Sequence, residues 1–484
     1  MPYDRNRCQN DIGLHTPGRG AVGSRSRSAR DSLGTHLRQV SDRVSYTAFL
    51  TIGALCIVAF FVLRVPRAPN QCVLNTDGIG YFSYLRSVVF DGDINFSNEY
   101  AHFDPDYPFL ALRSASTGLP GNLYSVGPAL LWAPFYLAAH VASGVARMVG
   151  IPVDTDGYGI LYQSGVCMAT IAYVMAGCVL SYHVCRRYFS GFASLVAVGG
   201  VWLASSLFHY TVAACDMSHG VSFFAVSLFL FLLLPPRRRT YREWILLGLA
   251  AGIMSLVRWQ DVLYTSMVAV EAVQAVAAES NRGKRFSILR AYAGGGLVAA
   301  LVAAALMTPQ AFVWLSLYGS PAPPIPGEFF DMLHPNLLAY LFSTRHGLFV
   351  WHPIMLLAAV GFVPLWRRDR RVTAALVVAL VAQWYLNSAT AEWWAQASFG
   401  ARRFVSATPL LALGMAALVQ SFTNRFRRGA LVAVAAVSVL ICWNFLFDVQ
   451  YSWGFIPRDQ AVSIYQLTVG KLEMILQLIN QIVS

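Results

Sequence analysis

Runs of about twenty apolar residues recur along this chain, and a run of that length crosses the hydrocarbon layer of a membrane as a helix. The first is Val44 to Leu63, and others follow as far as Phe447 without the short strand-and-turn alternation of an outer-membrane barrel. Hydrophobic residues make up 56% of the sequence and charged residues 12%, more apolar surface than one water-soluble core can hide. The expected fold class is therefore all-α, a polytopic transmembrane helical bundle.

The formal charge of +12 does not point to nucleic acid, because the basic residues stand in short clusters between apolar runs rather than along one soluble face. The clusters are Arg186 and Arg187, Arg237 to Arg242, Arg282 to Arg285, Arg367 to Arg371 and Arg425 to Arg428. Basic loops stay in the cytoplasm, so consecutive clusters require an even number of crossings between them. About 11 spans result, with the N-terminus inside and the C-terminus outside. Gly127 to Val149 is apolar enough to cross, but a crossing there would invert every later cluster. It is expected as a juxtamembrane or re-entrant helix.

This topology divides the chain. Residues 1–43, rich in Ser, Arg and Gly, read as a disordered basic cytoplasmic tail, and residues 44–448 form the bundle. Within the bundle, 66–158 is a long first outer loop carrying juxtamembrane helices and 318–345 is a second outer loop. The second contains SPAPPIPGEFF, whose prolines favour an extended path. Residues 449–484 form an amphipathic segment on the outer side. The eight cysteines show no CxxC or metal-ligand spacing. Most read as packing residues, and Cys72 with Cys215 is the one pairing open if both lie outside.

Acid is scarce, with 24 Asp plus Glu in 484 residues, yet Asp77, Asp91 and Asp93 crowd into NTDGIGYFSYLRSVVFDGD. Ionisable residues at span ends are costly and often functional. On the expected outer face they are Asp77, Arg86, Asp91 and Asp93; Asp216 and His219 in CDMSHG; Arg258 and Asp261 in VRWQD; Arg345 and His346; and Glu392, Arg402 and Arg403 in EWWAQASFGARRF. Several have plainer readings. Asp91-Gly92-Asp93 has the composition of a turn, Asp77 before Gly78 that of a helix N-cap, and Arg258 with Asp261 the spacing of a local ion pair. His209 and His219 read as hydrogen-bonded bundle residues, and Trp393-Trp394 as an interfacial belt.

Carboxylates and arginines gathered on one membrane face suit sugar transfer from a lipid-linked phosphate. An acceptor hydroxyl needs a general base, which Asp supplies. The departing phosphate needs arginine forks or a divalent cation (Mg or Mn) held on carboxylates. The alternative is a transporter or flippase of a lipid-linked or anionic substrate, which needs its ionisable groups near mid-bilayer on interrupted helices.

The layout also resembles the GT-C superfamily of integral-membrane glycosyltransferases, specifically bacterial members of the protein O-mannosyltransferase and aminoarabinose transferase type (family 39). The resemblance runs from about Val44 to Phe447 and rests on the aspartate early in a long first outer loop, the second loop, and the segments GPALLWAPFYL, RRYF, FSTRHGLFVWHP and EWWAQASFGARRF. It implies an inverting glycosyltransferase in the bacterial inner (plasma) membrane, its site facing the periplasm or exterior. The donor would be a polyprenyl-phosphate-linked sugar, and the acceptor a component of the cell envelope. By position Asp77 is the implied catalytic base, with Asp91 and Asp93 as the other candidates. Asp216 falls where some members carry a second acid and is the candidate metal ligand. The lysine that members carry beside paired prolines is missing at Ser125-Val126-Gly127-Pro128. Phosphate contact is therefore assigned to Arg258, Arg345 and Arg402, with Glu392, Asp91 and Asp93 as further substrate-contacting residues.

Overall fold

The computed structural model describes residues 20–68, 72–322 and 329–483. Among the described residues the regular structure is helical, with only isolated β-bridges at Arg113 with Pro120 and Phe330 with Thr390.

The helix Thr408–Arg425 forms the axis of the bundle. Pro409 sits in its first turn, where a missing N–H costs nothing, and 83% of the apolar window of Arg402–Arg425 is buried. Its Gly414 crosses Gly361 so closely that a Cβ on Gly361 would lie 1.9 Å from the Gly414 carbonyl oxygen. Ile160–Arg186 packs beside it. Arg282–Leu306, only 6% buried over its apolar window, lies at the periphery and turns leucines outward as a lipid-facing helix does.

Among the described residues seven helices are long and apolar enough to cross a membrane, or eight if Gly191–Leu203 and Ser206–Val212, bent by 68°, form one broken span. The expected count of about 11 is not reached, because several apolar runs fold as short pieces. The run after Gly347 divides into Leu348–Trp351, Pro353–Val360 and Phe362–Arg368, interrupted at His352 and Gly361. Ser218–Leu233 has 16 residues, about 24 Å of helix against a hydrocarbon core of about 30 Å. Gly127–Met148, expected as a juxtamembrane or re-entrant helix, has the length and apolarity of a crossing, and Leu130, Leu137, Val141 and Val145 are exposed along it.

The stretch expected as a disordered tail is helical from Gly20 onward, in Gly20–Ala59; residues 1–19 lie outside the described residues. Its end is tied down where Asp42 accepts hydrogen bonds from Tyr182 at 2.7 Å and Arg186 at 3.0 Å. The segment 66–158 carries Thr76–Arg86, Ser97–Phe103 and Gly127–Met148 around an aromatic core that includes Phe82, Tyr100 and Trp132. In 318–345, the proline-rich residues 323–328 lie outside the described residues, so the extended path expected of them is not described. The amphipathic C-terminal segment is helical over Gly470–Val483, with Leu472, Leu476 and Ile479 exposed and Met474 buried. Cys72 and Cys215 are both free thiols.

Candidate functional site

Asp77 stands in the first turn of Thr76–Arg86, where the helix N-terminus favours negative charge. The N-cap itself is Asn75, so Asp77 is not the capping residue. Its carboxylate is held from two sides: the Tyr124 hydroxyl donates to Oδ1 at 3.0 Å, and Arg402 Nη1 donates to Oδ2 at 3.0 Å. The glycines on either side of Ile79 make this possible. A Cβ on Gly78 would stand 1.8 Å from Asp216 Oδ2, and one on Gly80 would stand 2.2 Å from the Tyr124 ring.

Asp77 and Arg402 line a cavity of about 300 Å³ together with Arg258, Arg403, Tyr81 and Trp314. Arg258 reaches it because the helix Tyr241–Val257 ends one residue earlier and Arg258 itself is extended, with φ −148° and ψ 112°. Its Nη1 lies 3.2 Å from Ser218 Oγ and 3.1 Å from His219 Nδ1. A guanidinium only donates, so His219 Nδ1 is the acceptor and carries no proton. Arg402 and Arg403 open the 3-10 turn Arg402–Ala407. Arg403 Nη1 donates to the Glu392 carbonyl at 2.9 Å.

Among the described residues Asp77 is the one acidic residue lining the cavity, against three arginines, so two of those positive charges have no carboxylate beside them in the lining. Each guanidinium commits a single nitrogen to the hydrogen bonds just described. None of the remaining guanidinium nitrogens is both dry and unpartnered. Guanidiniums so placed can donate to an anion with several acceptor oxygens.

Other expected residues lie elsewhere. Arg345 pairs with Asp459 at 3.0 Å and stacks 3.9 Å over the Trp394 ring, away from the cavity lining. The Glu392 side chain is exposed and accepts from Gln396 Nε2 at 2.7 Å; only its carbonyl meets the site, through Arg403. Asp91 pairs with Arg86 and accepts from Asn98 at 2.8 Å. Asp93 accepts from Ser87 Oγ at 2.8 Å and the Asn95 N–H at 3.0 Å, with Gly92 left-handed at φ 71° between the two aspartates, the geometry of a turn. No ion pair joins Arg258 to Asp261 among the described residues; Asp261 accepts instead from Ser222 at 2.5 Å. His209 lies 2.5 Å from Asp448 in the bundle.

Asp216 is fully buried and outside the cavity lining. Its Oδ2 accepts from the Asn75 N–H at 2.5 Å and its Oδ1 from Asn75 Nδ2 at 2.7 Å. Burial pushes its carboxyl up from the ordinary range, against the opposing pull of Arg64 and of Asn75. A divalent cation needs several oxygen ligands. Here Asp77 faces a guanidinium and a phenol, both donors, Asp216 is occupied by Asn75, and no group of three or more His, Cys, Asp or Glu among the described residues can hold a metal. The donor set does not fit the expected metal.

Sequence reasoning did not single out Tyr124, because its role depends on a contact with a helix 47 residues away. The signal available was Gly78-Ile79-Gly80 directly after Asp77, two places where nothing larger fits. No family model matches the chain, and no curated protein matches it. Among solved structures, the crystal structure of the Archaeoglobus fulgidus oligosaccharyltransferase in the apo form is similar with a TM-score of 0.46 and 14% sequence identity. The match covers 84% of this chain and 56% of that one, so this chain spans little more than half the length of that protein.

Proposed function

We propose that the chain is a membrane glycosyltransferase that moves a sugar from a polyprenyl-phosphate donor to a hydroxyl of an envelope acceptor, with inversion, at the outer face of a bacterial inner membrane. One observation carries the proposal: a single carboxylate and three guanidiniums share one cavity in a helical bundle with membrane-spanning lengths. The acceptor oxygen attacks the anomeric carbon from the face opposite the phosphate as its proton passes to Asp77 Oδ2. The new carbon–oxygen bond forms while the bond to the phosphate oxygen breaks, and polyprenyl phosphate leaves with the electron pair. Arg258, Arg402 and Arg403 are the groups that stabilise its growing charge. Tyr124 keeps Asp77 in one orientation by occupying Oδ1. Arg402 exchanges Asp77 for the phosphate when donor binds, which opens Oδ2 to the incoming proton.

A transporter or flippase would hold the same anion and return it with the sugar–phosphate bond whole. Purified protein in vesicles, supplied with a polyprenyl-phosphate sugar labelled in both phosphate and sugar and with a cell-envelope extract as the source of acceptor, separates the two readings. Transfer produces sugar-free labelled polyprenyl phosphate; recovery of intact donor only, on the other leaflet, supports the transporter and contradicts the proposal.

A further inference from the structure

The cavity has a second wall that the phosphate reading does not use. Met307, Gln310 and Trp314 line it from one side of the helix Thr308–Tyr318 and its N-terminal edge. This helix is fastened to the segment that follows Asp77 in the chain: Gln310 Oε1 accepts the Val126 N–H at 2.7 Å, and Tyr318 accepts the Asn122 N–H at 2.8 Å.

The Val126 contact fixes which end of the Gln310 amide is oxygen. The opposite end, Nε2, is dry and has no hydrogen-bond partner among the described residues, although Gln310 is only 1% exposed. Tyr84 approaches Gln310, but its own hydroxyl is committed to the Tyr124 carbonyl at 2.8 Å. An amide nitrogen carries two hydrogens, so even a contact with the Tyr84 oxygen leaves one without an acceptor. A buried donor in that condition is costly unless a ligand completes it.

The residues that hold Asp77 and Gln310 are neighbours in the chain. Tyr124, which holds Asp77, and Val126, which holds Gln310, are two residues apart, about 7 Å at full extension. Between them Ser125 lines the cavity and donates to the Val257 carbonyl at 2.6 Å. An amide donor beside a half-buried indole, lining the same cavity as a carboxylate, is the chemistry that recognises a hydroxylated ring, with the apolar ring face on the indole and a hydroxyl on the amide.

Resting on the reading of the arginine pole as a phosphate site, we infer that Gln310 and Trp314 form the subsite for the sugar of the donor, with Gln310 Nε2 donating to a ring hydroxyl. The test measures binding of polyprenyl phosphate, polyprenyl-phosphoryl mannose and polyprenyl-phosphoryl arabinose to the full-length protein in detergent. The wild type binds at least one sugar-bearing probe more tightly than bare polyprenyl phosphate. Gln310→Ala and, separately, Trp314→Leu each weaken that probe by roughly tenfold, the worth of one neutral hydrogen bond or ring contact. Both leave the affinity for bare polyprenyl phosphate within about twofold, which also reports that the fold is intact.

Equal binding of all three probes by the wild type, or the same loss for bare and sugar-bearing probes in both variants, overturns the subsite. A variant that discriminates as the wild type does also overturns it. Failure of the underlying reading is distinct: Arg403→Ala then leaves the affinity for bare polyprenyl phosphate unchanged.

Discussion

Arg402 donates to the Asp77 carboxylate at 3.0 Å across 325 residues of sequence, with the Asp77 side chain 25% exposed and that of Arg402 15% exposed. The pair is shielded yet still lines the cavity, as the proposed roles of base and phosphate-holding cation require. On the proposed function Arg402→Ala removes a charge-assisted donor to the leaving phosphate, and kcat/KM for transfer is expected to fall by roughly a hundredfold to a thousandfold. Arg402→Lys keeps the charge without the planar fork and recovers part of that loss. Steady-state rates with varied donor check both.

Tyr124→Phe leaves the ring that packs against Gly80 and deletes only the hydroxyl that holds Asp77 Oδ1. One hydrogen bond of this kind is worth about 1 kcal/mol or somewhat more. The expected result is a kcat lower by about tenfold with donor KM nearly unchanged. A fall confined to KM would place Tyr124 on the substrate instead.

Gly78→Ala puts a methyl group 1.8 Å from Asp216 Oδ2. Overpacking costs about 1–3 kcal/mol, and here the displaced atoms hold Asn75 at the start of the Asp77 helix, so both thermal stability and transfer should drop. Asp216→Asn replaces one acceptor of the Asn75 N–H groups by a donor and is expected to cost about 1–3 kcal/mol. Because Asp216 serves Asn75, chelation by EDTA should leave wild-type transfer unchanged. A metal-restored activity would assign Asp216 the ligand role that its present contacts do not support.

The charged lining of the candidate cavity is legible in sequence because ionisable residues are conspicuous at the ends of apolar runs. Asp77, Arg258 and Arg402 stood out that way, and Arg403 stood beside them in the same segment. The same criterion could not separate them from Arg345 and Glu392, whose fates depend on Asp459 and Gln396, one of them 114 residues away. The helical class followed from run length, whereas the count of spans did not. Hydropathy registers an apolar run but not its breaks at His352 and Gly361, nor the 68° bend after Leu203. Gly127–Met148 illustrates the limit of charge parity: excluded as a crossing on that ground, it meets the length and apolarity of one. The partnership of Asp77 with Arg402 stands whichever way that helix is placed, since the two residues share a cavity.

Glu99 offers a pH signature independent of transfer. It is fully buried beside Arg86, at 3.2 Å, and burial raises its carboxyl to about 7 against the opposing pull of Arg86. Folding therefore favours its neutral form. The stabilisation is complete below its ordinary value of 4.5 and fades as pH rises through about 7. Thermal stability of the wild type should decline between pH 5 and pH 8 more than that of Glu99→Gln, whose side chain stays neutral. Melting curves at half-unit pH steps check this, and parallel profiles would contradict it.

In the proposed reaction Asp77 removes the acceptor proton, in a cavity whose arginines hold the phosphate. The most direct test is single-turnover transfer from a polyprenyl-phosphate sugar by purified Asp77→Asn protein, with the melting temperature measured alongside. Loss of general-base catalysis predicts a rate lower by at least about a hundredfold, up to ten-thousandfold, while the melting temperature stays near that of the wild type. A rate within a few-fold of the wild type, in protein equally well folded, would contradict the claim.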